Sequence, residues 1–285
     1  MMCRVLEVTP AGFYAWLARK KQPLPEQSPR AKRAALGPQV EAVFRAHNGC
    51  AGARTIMRDF NDNNVEATIY GVRLLMKELG LFARFRKARK YTTIPDPNAP
   101  SRDDLVRRNF EPPVPTTVLC GDITYLNTSQ GWMYLAIVMD LSTRMIVGWQ
   151  IADTMKTQLL IDALAMAHSN GYVAGNAIFH SDRGSQYTSG QFADYAASID
   201  VRLSVGKVGV CWDNAVAESF FSTLKLHLLY EKKSFLTKLE ARALVGDWIE
   251  TYYNRKRIHS TTGAVPARAM KRFLNPANTA AQAVA

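Results

Sequence analysis

The sequence predicts an α/β fold in which a mixed-sheet core follows an α-helical region of helix-turn-helix type. Three observations carry this reading. Over the first eighty residues, apolar positions recur at helical spacing and glycines interrupt them. At Val118 the composition shifts to β-formers, and three strand-like segments follow one another. A helical stretch, another short apolar strand and further helices come next, an order that indicates a mixed sheet with helices.

The elements follow in chain order. Thr9-Pro10 reads as an N-cap with proline at the first helical position, and Phe13, Trp16 and Leu17 sit at helical spacing behind it. Pro23, Pro25 and Pro29 break this helix. Val40, Val43 and Phe44 share a helix face, Gly49 and Gly52 interrupt, and Arg54, Ile56, Met57 and Phe60 suggest a second short helix. Asn61 to Asn64 form a turn. Ile69, Val72, Leu75, Met76 and Leu79 make a third stripe, ended by Gly80. Helix, glycine-containing turn, helix is the helix-turn-helix pattern, so residues 1–83 are read as a DNA-binding region; a plain helical bundle has the same spacing. Residues 84–115 read as a basic, Pro-rich linker. Arg84, Arg86, Lys87, Arg89 and Lys90 put five positive charges into seven residues, and an extended basic segment can track a phosphate backbone. Residues 116–230 form the core. VLCGDITYL alternates, GWMYLAIVMD is apolar on both faces as a central strand would be, and MIVGWQIAD is a third strand. Met155 to Asn170 reads as a helix and AIFHSD as a short strand. Residues 231–285 read as a basic C-terminal extension with a flexible Ala-rich tail.

The chain has 285 residues, a net charge of +12 and a pI near 9.6, an excess that points to a polyanionic partner, most commonly nucleic acid. Cys3, Cys50, Cys120 and Cys211 show no C-x-x-C spacing, which disfavours a zinc ribbon and fits a reducing cytosol. No signal-peptide core opens the chain, and the run Met133 to Met139 is far short of a membrane span, so a cytosolic, nucleoid-associated protein is expected.

Asp122, Asp182 and Glu218 stand out from the other carboxylates. Asp122 lies within a strand, Asp182 directly follows AIFHS, and Glu218 lies on a helix with 35 residues between it and Asp182. Such a set can form one acidic pocket for two divalent cations about 4 Å apart, which together serve an in-line displacement at a phosphodiester. Oxygen-only ligands select Mg²⁺ or Mn²⁺. Gly121 and Thr124 are read as leaving room for metal and phosphate, and Gly184 as allowing close backbone approach. Asp140 reads as the end of a hairpin strand, Asp103 and Asp104 as linker residues, Asp213 as a helix cap, and His180 has no zinc-spaced partner. Lys225 lies two turns beyond Glu218 on the same helix side, placed to hold a phosphate.

The blocks GDITYL, HSDRGSQYTS and CWDNAVAESFFSTLK, with the tail YYNRKRIHS, resemble a DDE transposase of bacterial insertion sequences, the second-frame (OrfB) type of the retroviral-integrase superfamily. The resemblance spans essentially residues 1–270. It implies a ribonuclease-H-like core in which Asp122, Asp182 and Glu218 are the catalytic, metal-binding triad. It also implies strand cleavage to a 3′-hydroxyl and then transesterification into a second phosphodiester. Lys225, Gln186 and Tyr187 correspond to residues beside the family's active site and, with Arg54, the 84–90 cluster, Arg255 and Arg257, are candidate DNA contacts. The implied partners are double-stranded DNA (element terminal repeats and target), further copies of the chain on that DNA, and an upstream-frame helix-turn-helix and zipper protein or fusion. Ala51, Thr55, His227 and the Gly263–Pro266 segment depart from the family pattern without touching the triad. Two rivals were weighed. A DNA-binding regulator with a silent core is disfavoured by the intact carboxylate set, and an RNA hydrolase of ribonuclease-H type by the 35-residue spacing and the preceding helical region. No GxxxxGK[ST] phosphate loop is present.

Overall fold

The computed structural model describes residues 8–21, 28–84, 103–182, 184–206, 215–230 and 232–275. Arg86, Lys87, Arg89, Lys90, Cys3, Cys211, Asp213 and the tail beyond Asn275 lie outside the described residues. The chain divides into two compact units, residues 1–84 and 85–285.

The first unit is helical: α1 (Pro10–Lys21), α2 (Pro29–Ala35), α3 (Gly37–Ala46), α4 (Ala53–Asp62) and α5 (Ile69–Glu78). Local chemistry sets the ends. Thr9 Oγ1 accepts from Gly12 N, Ser28 Oγ from Ala31 N and Thr68 Oγ1 from Gly71 N, each satisfying an orphan donor of a helix start. Gly80 at φ +66° and the bond from Leu81 N to Met76 O close α5. Val40, Ile56, Phe60, Val72, Leu75 and Met76 form the core of α3–α5, as their spacing predicts. Arg84 N bonds Gly49 O at 2.9 Å, so Arg84 closes this unit and does not begin the linker.

The second unit holds one five-stranded sheet in the order β3-β2-β1-β4-β5. The strands are β1 (Val118–Thr128), β2 (Gly131–Asp140), β3 (Ile146–Ala152), β4 (Ala177–Ser181) and β5 (Val201–Val205). β1–β2–β3 form an antiparallel meander, and β4 and β5 add in parallel to β1. This is the ribonuclease-H-like mixed sheet. The meander and β4 match the sequence reading. β5 was missed there, because VRLSV is only five residues long and follows a helix without a break signal.

Helices cover both faces. On one lie α6 (Thr157–Ser169), the single turn α7 (Ser185–Thr188) and α8 (Gly190–Ser198); on the other lie α9 (Ala215–Leu229), α10 (Lys238–Asp247) and a π-helix (Trp248–Tyr253). The close seat of α6 on β3 requires Gly148, where a Cβ would meet Ala163 O at 2.1 Å. A further helix, α11 (Pro266–Leu274), contributes Met270 to the α6 side. The boundary at 230/231 does not separate two bodies. Ala241, Val245, Trp248, Ile249, Tyr252 and Tyr253 share one core with Leu126, Leu135, Phe220 and Leu224. Burial of each such large side chain contributes about 1.5–3 kcal/mol. The π-helix buries all four of Trp248, Ile249, Tyr252 and Tyr253.

Candidate active site

Strand alternation fixes which way the first carboxylate points. Cys120, Asp122, Thr124 and Leu126 share a face of β1. Cys120 and Leu126 belong to the core under α9, so Asp122 faces α9 as well. Gly121 faces the other way, where a Cβ would stand 2.2 Å from Phe179 Cζ. Its lack of a side chain serves ring packing, which corrects the reading that it makes room for metal.

Parallel register fixes the second. Cys120 pairs with His180, the last such pair between β1 and β4. Continued two residues further, that register brings Asp122 of β1 level with Asp182, which stands one residue past the end of β4. Ligands of open α/β sheets collect at such a place. Asp122 Oδ1 accepts from Ile123 N at 2.7 Å, and Asp182 Oδ1 from Gly184 N at 3.0 Å. Burial pushes the Asp182 pKa above the ordinary carboxylate value, against the lowering by that Gly184 bond. A desolvated carboxylate holding one amide donor is poised for a cation, and the oxygen-only donors of the pair suit a hard one.

Tyr187 is buried at 3% exposure between the rings of Phe179 and Phe192. Desolvation first, then the charges of Asp122 and Asp182, raise its pKa well above 10. It therefore backs the two carboxylates from inside, and the reading of Tyr187 as a DNA contact is corrected. Gln186 stays half-buried on the same turn.

Glu218 lies in the first turn of α9 and is exposed. Among the described residues, no three His, Cys, Asp or Glu side chains form a group able to hold a metal ion. The structure thus pairs Asp122 with Asp182 and leaves Glu218 on the neighbouring helix, outside a closed three-carboxylate cluster. Lys225, two turns along α9, reaches back to the sheet, where its Nζ donates to Thr124 Oγ1 at 2.7 Å. That places the ammonium beside the strand face that carries Asp122. Sequence spacing found Lys225 but not its anchor.

Asp140, Asp103, Asp104 and His180 are structural. Asp140 is fully buried and its oxygens accept from Thr116 N, Thr143 N and Thr143 Oγ1 at 2.8, 2.8 and 2.6 Å, clamping the β2–β3 turn. Asp104 Oδ1 accepts from Arg107 N, and Asp103 O from Val205 N. His180 Nδ1 lies 3.0 Å from Ser204 Oγ in the interior. Arg54 is exposed on α4 and Arg255 is exposed after the π-helix, while Arg257 is half-buried with its guanidinium 5.5 Å from the Tyr253 ring centroid.

Two models described as integrase core domain match residues 112–211 and 199–266, and an HTH-like domain model matches residues 31–89. With the sheet and its level carboxylates, these define a DDE-type polynucleotidyl transferase. Over 267 residues the chain is 33% identical to a transposase for insertion sequence element IS986/IS6110 of Mycobacterium tuberculosis, covering 92% of this chain and 94% of the relative. Over 269 residues it is 34% identical to transposase InsF for insertion sequence IS3A of Escherichia coli K12, covering 93% and 90%. The chain belongs to this family of insertion-sequence transposases. Among solved structures it is similar to the HTLV-2 integrase catalytic core domain, with 14% identity, a TM-score of 0.44, and coverage of 55% of this chain and 97% of that one.

Proposed function

We propose that the protein cleaves DNA at the ends of an insertion sequence and joins the freed 3′-hydroxyl to target DNA, using Asp122, Asp182 and Glu218. The observation that carries this reading is the level placement of Asp122 and Asp182 where β1 and β4 part, with Asp182 desolvated and singly hydrogen-bonded. Asp122 and Asp182 would hold Mg²⁺ or Mn²⁺, two ions in all, and Glu218 would join them from α9. When bound, the ions supply charge neutralisation at the attacking and leaving oxygens. The protein's own groups do the rest. Lys225 is held beside the site by Thr124 and takes a phosphate as a point charge, positioning the strand without reading bases. Tyr187 closes the site from behind and excludes water there. Cleavage breaks a P–O3′ bond with water, leaving a 3′-hydroxyl and a 5′-phosphate. In joining, the 3′-oxygen bonds to a target phosphorus while that phosphorus releases its own 3′-oxygen. One phosphodiester replaces another, so no nucleotide energy source enters.

In this reading residues 1–83 recognise the element's terminal repeats through α3–α5 and Arg54. Arg84, the 86–90 cluster, Gln186, Arg255 and Arg257 add phosphate contacts. Several copies act together on DNA in the cytosol, with an upstream-frame helix-turn-helix and zipper protein or fusion as partner. No described helix is long and apolar enough to cross a membrane. The test is a strand-transfer assay on labelled element-end oligonucleotides with Mg²⁺. Products joined to target should form with the parent and vanish with Asp182→Asn. Joining that survives in the variant, or in excess chelator, would overturn the reading.

A further inference from the structure

Arg144 sits in the β2–β3 turn at φ +64° and 4% exposure. A left-handed backbone on a non-glycine residue is a strained choice, and such strain collects at sites with a task. Its Nη2 donates to Phe110 O at 2.9 Å, whereas Nε and Nη1 are buried with no hydrogen-bond partner among the described residues. Buried guanidinium N–H groups without acceptors are costly. The nearby Asp140 accepts instead from Thr116 and Thr143.

The turn after the π-helix brings two more donors to the same place. Asn254 clamps Ile146 in both directions, with Ile146 N donating to Oδ1 at 3.0 Å and Nδ2 donating to Ile146 O at 2.9 Å. That ties residues 254–259 to the strand start two residues from Arg144. Arg257 lies against Tyr253, and its Nη1 is also buried without a partner. His259 Nδ1 accepts from Thr261 N at 3.3 Å. Burial first, then the charges of Arg257 and Arg144, lower its pKa to about 4, so the ring is neutral at physiological pH and carries its proton on Nε2 as a donor. Arg144 is buried beneath the surface, and Arg257 and His259 are half-buried.

Two arginines, of which Arg144 Nε and Nη1 and Arg257 Nη1 have no acceptor among the described residues, with an imidazole N–H beside them, describe a receptor for a tetrahedral oxyanion. The site borders the active site. The Tyr253 ring lies 4.7 Å, centroid to centroid, from Phe220, two residues past Glu218 on α9. Cys120 feels the charges of both Arg144 and Asp122 from its place on β1. We propose that Arg144, Arg257 and His259 bind one non-scissile phosphodiester of the DNA strand engaged in the active site. The nature of the occupant rests on the transposase reading; the anion receptor itself does not.

Arg144 supports its turn, so the test uses the variants Arg257→Gln and His259→Phe in the full chain. Element-end duplexes carrying a single neutral methylphosphonate at successive positions should show one position, away from the cleaved bond, where parent binding drops roughly tenfold. Arg257→Gln should bind the unmodified duplex roughly tenfold more weakly, lose sensitivity at that one position, and keep its Mn²⁺ titration unchanged. In a second arm, the melting temperature is compared in inorganic phosphate and in chloride at equal ionic strength. Undiminished binding by both variants, with sensitivity at every phosphate position retained, would overturn a DNA occupant; if phosphate still stabilised the parent and not Arg257→Gln, the receptor would be one for free anions. If the parent neither binds nor cuts element ends, the transposase reading falls and the receptor is judged on the phosphate arm alone. There, equal responses of parent and Arg257→Gln would sink it.

Discussion

Two carboxylates beside strand ends of the same sheet, the buried Asp140 and the half-buried Asp182, are treated very differently. Desolvation raises the pKa of both. Asp140 is answered by three hydrogen bonds from Thr116 and Thr143 and by the charge of Arg144. Among the described residues Asp182 is answered by one backbone amide. The first is a closed joint that holds a turn. The second retains acceptor capacity just past the end of a strand. A desolvated acid with its donors in place is structural, and one with acceptor capacity left over can take a further ligand.

The comparison is tested most severely by chemistry. Asp182→Asn, Asp122→Asn and Glu218→Gln should each reduce strand cleavage by about a thousandfold or more, while circular dichroism shows the fold intact. Asp140→Ala should do the reverse, lowering unfolding stability by about 3–5 kcal/mol in a urea titration. A catalytically dead Asp140→Ala of parental stability would erase the distinction.

Acid dependence gives a subtler separation. The folded pKa of Asp182 is raised above its unfolded value of about 3.9, so ionisation is harder in the folded state. In metal-free protein its favourable contribution is complete below that unfolded value and is lost as pH rises through the raised folded pKa. Asp182→Asn should therefore gain stability relative to the parent across that window and hold a constant advantage above it. A stability difference flat with pH would show that Asp182 is not desolvated. The smallest effect concerns Lys225. Lys225→Ala should lower the slope of log affinity against log salt by about one unit and leave Mn²⁺ affinity unchanged. Thr124→Val should reproduce part of the loss, since it frees the ammonium from its anchor.

Much of this was legible before any coordinates. The meander strands, the helical stripes of α3–α5 and Lys225's side of α9 follow from period and punctuation, which are local properties. The level placement of Asp122 and Asp182 is not local; it depends on the parallel register of Cys120 with His180. Gly121 was misread because sequence shows a small residue beside an acid but not the Phe179 ring on the opposite face. Tyr187 is read as a DNA contact from the resemblance alone, which shows its place beside the active site but not the aromatic rings that surround it in space. Arg144 carried no signal, and His259 only its place in the YYNRKRIHS tail. Their meeting depends on Asn254 reaching a strand 108 residues away.

The segment from Phe235 to Tyr253 has a consequence in time. Its side chains complete the core beneath β1 and β2, and Phe235 bridges back to Thr128 at the far end of β1. During synthesis the sheet's strands emerge long before that cover does. Leu126, Met133 and Leu135 then face α9 alone until the last part of the chain arrives. The helical unit, built from contacts close in sequence, can fold early. The sheet unit must wait. A prematurely ended chain would therefore carry a finished helical unit beside an uncovered sheet, so the cover acts as a built-in delay between the two.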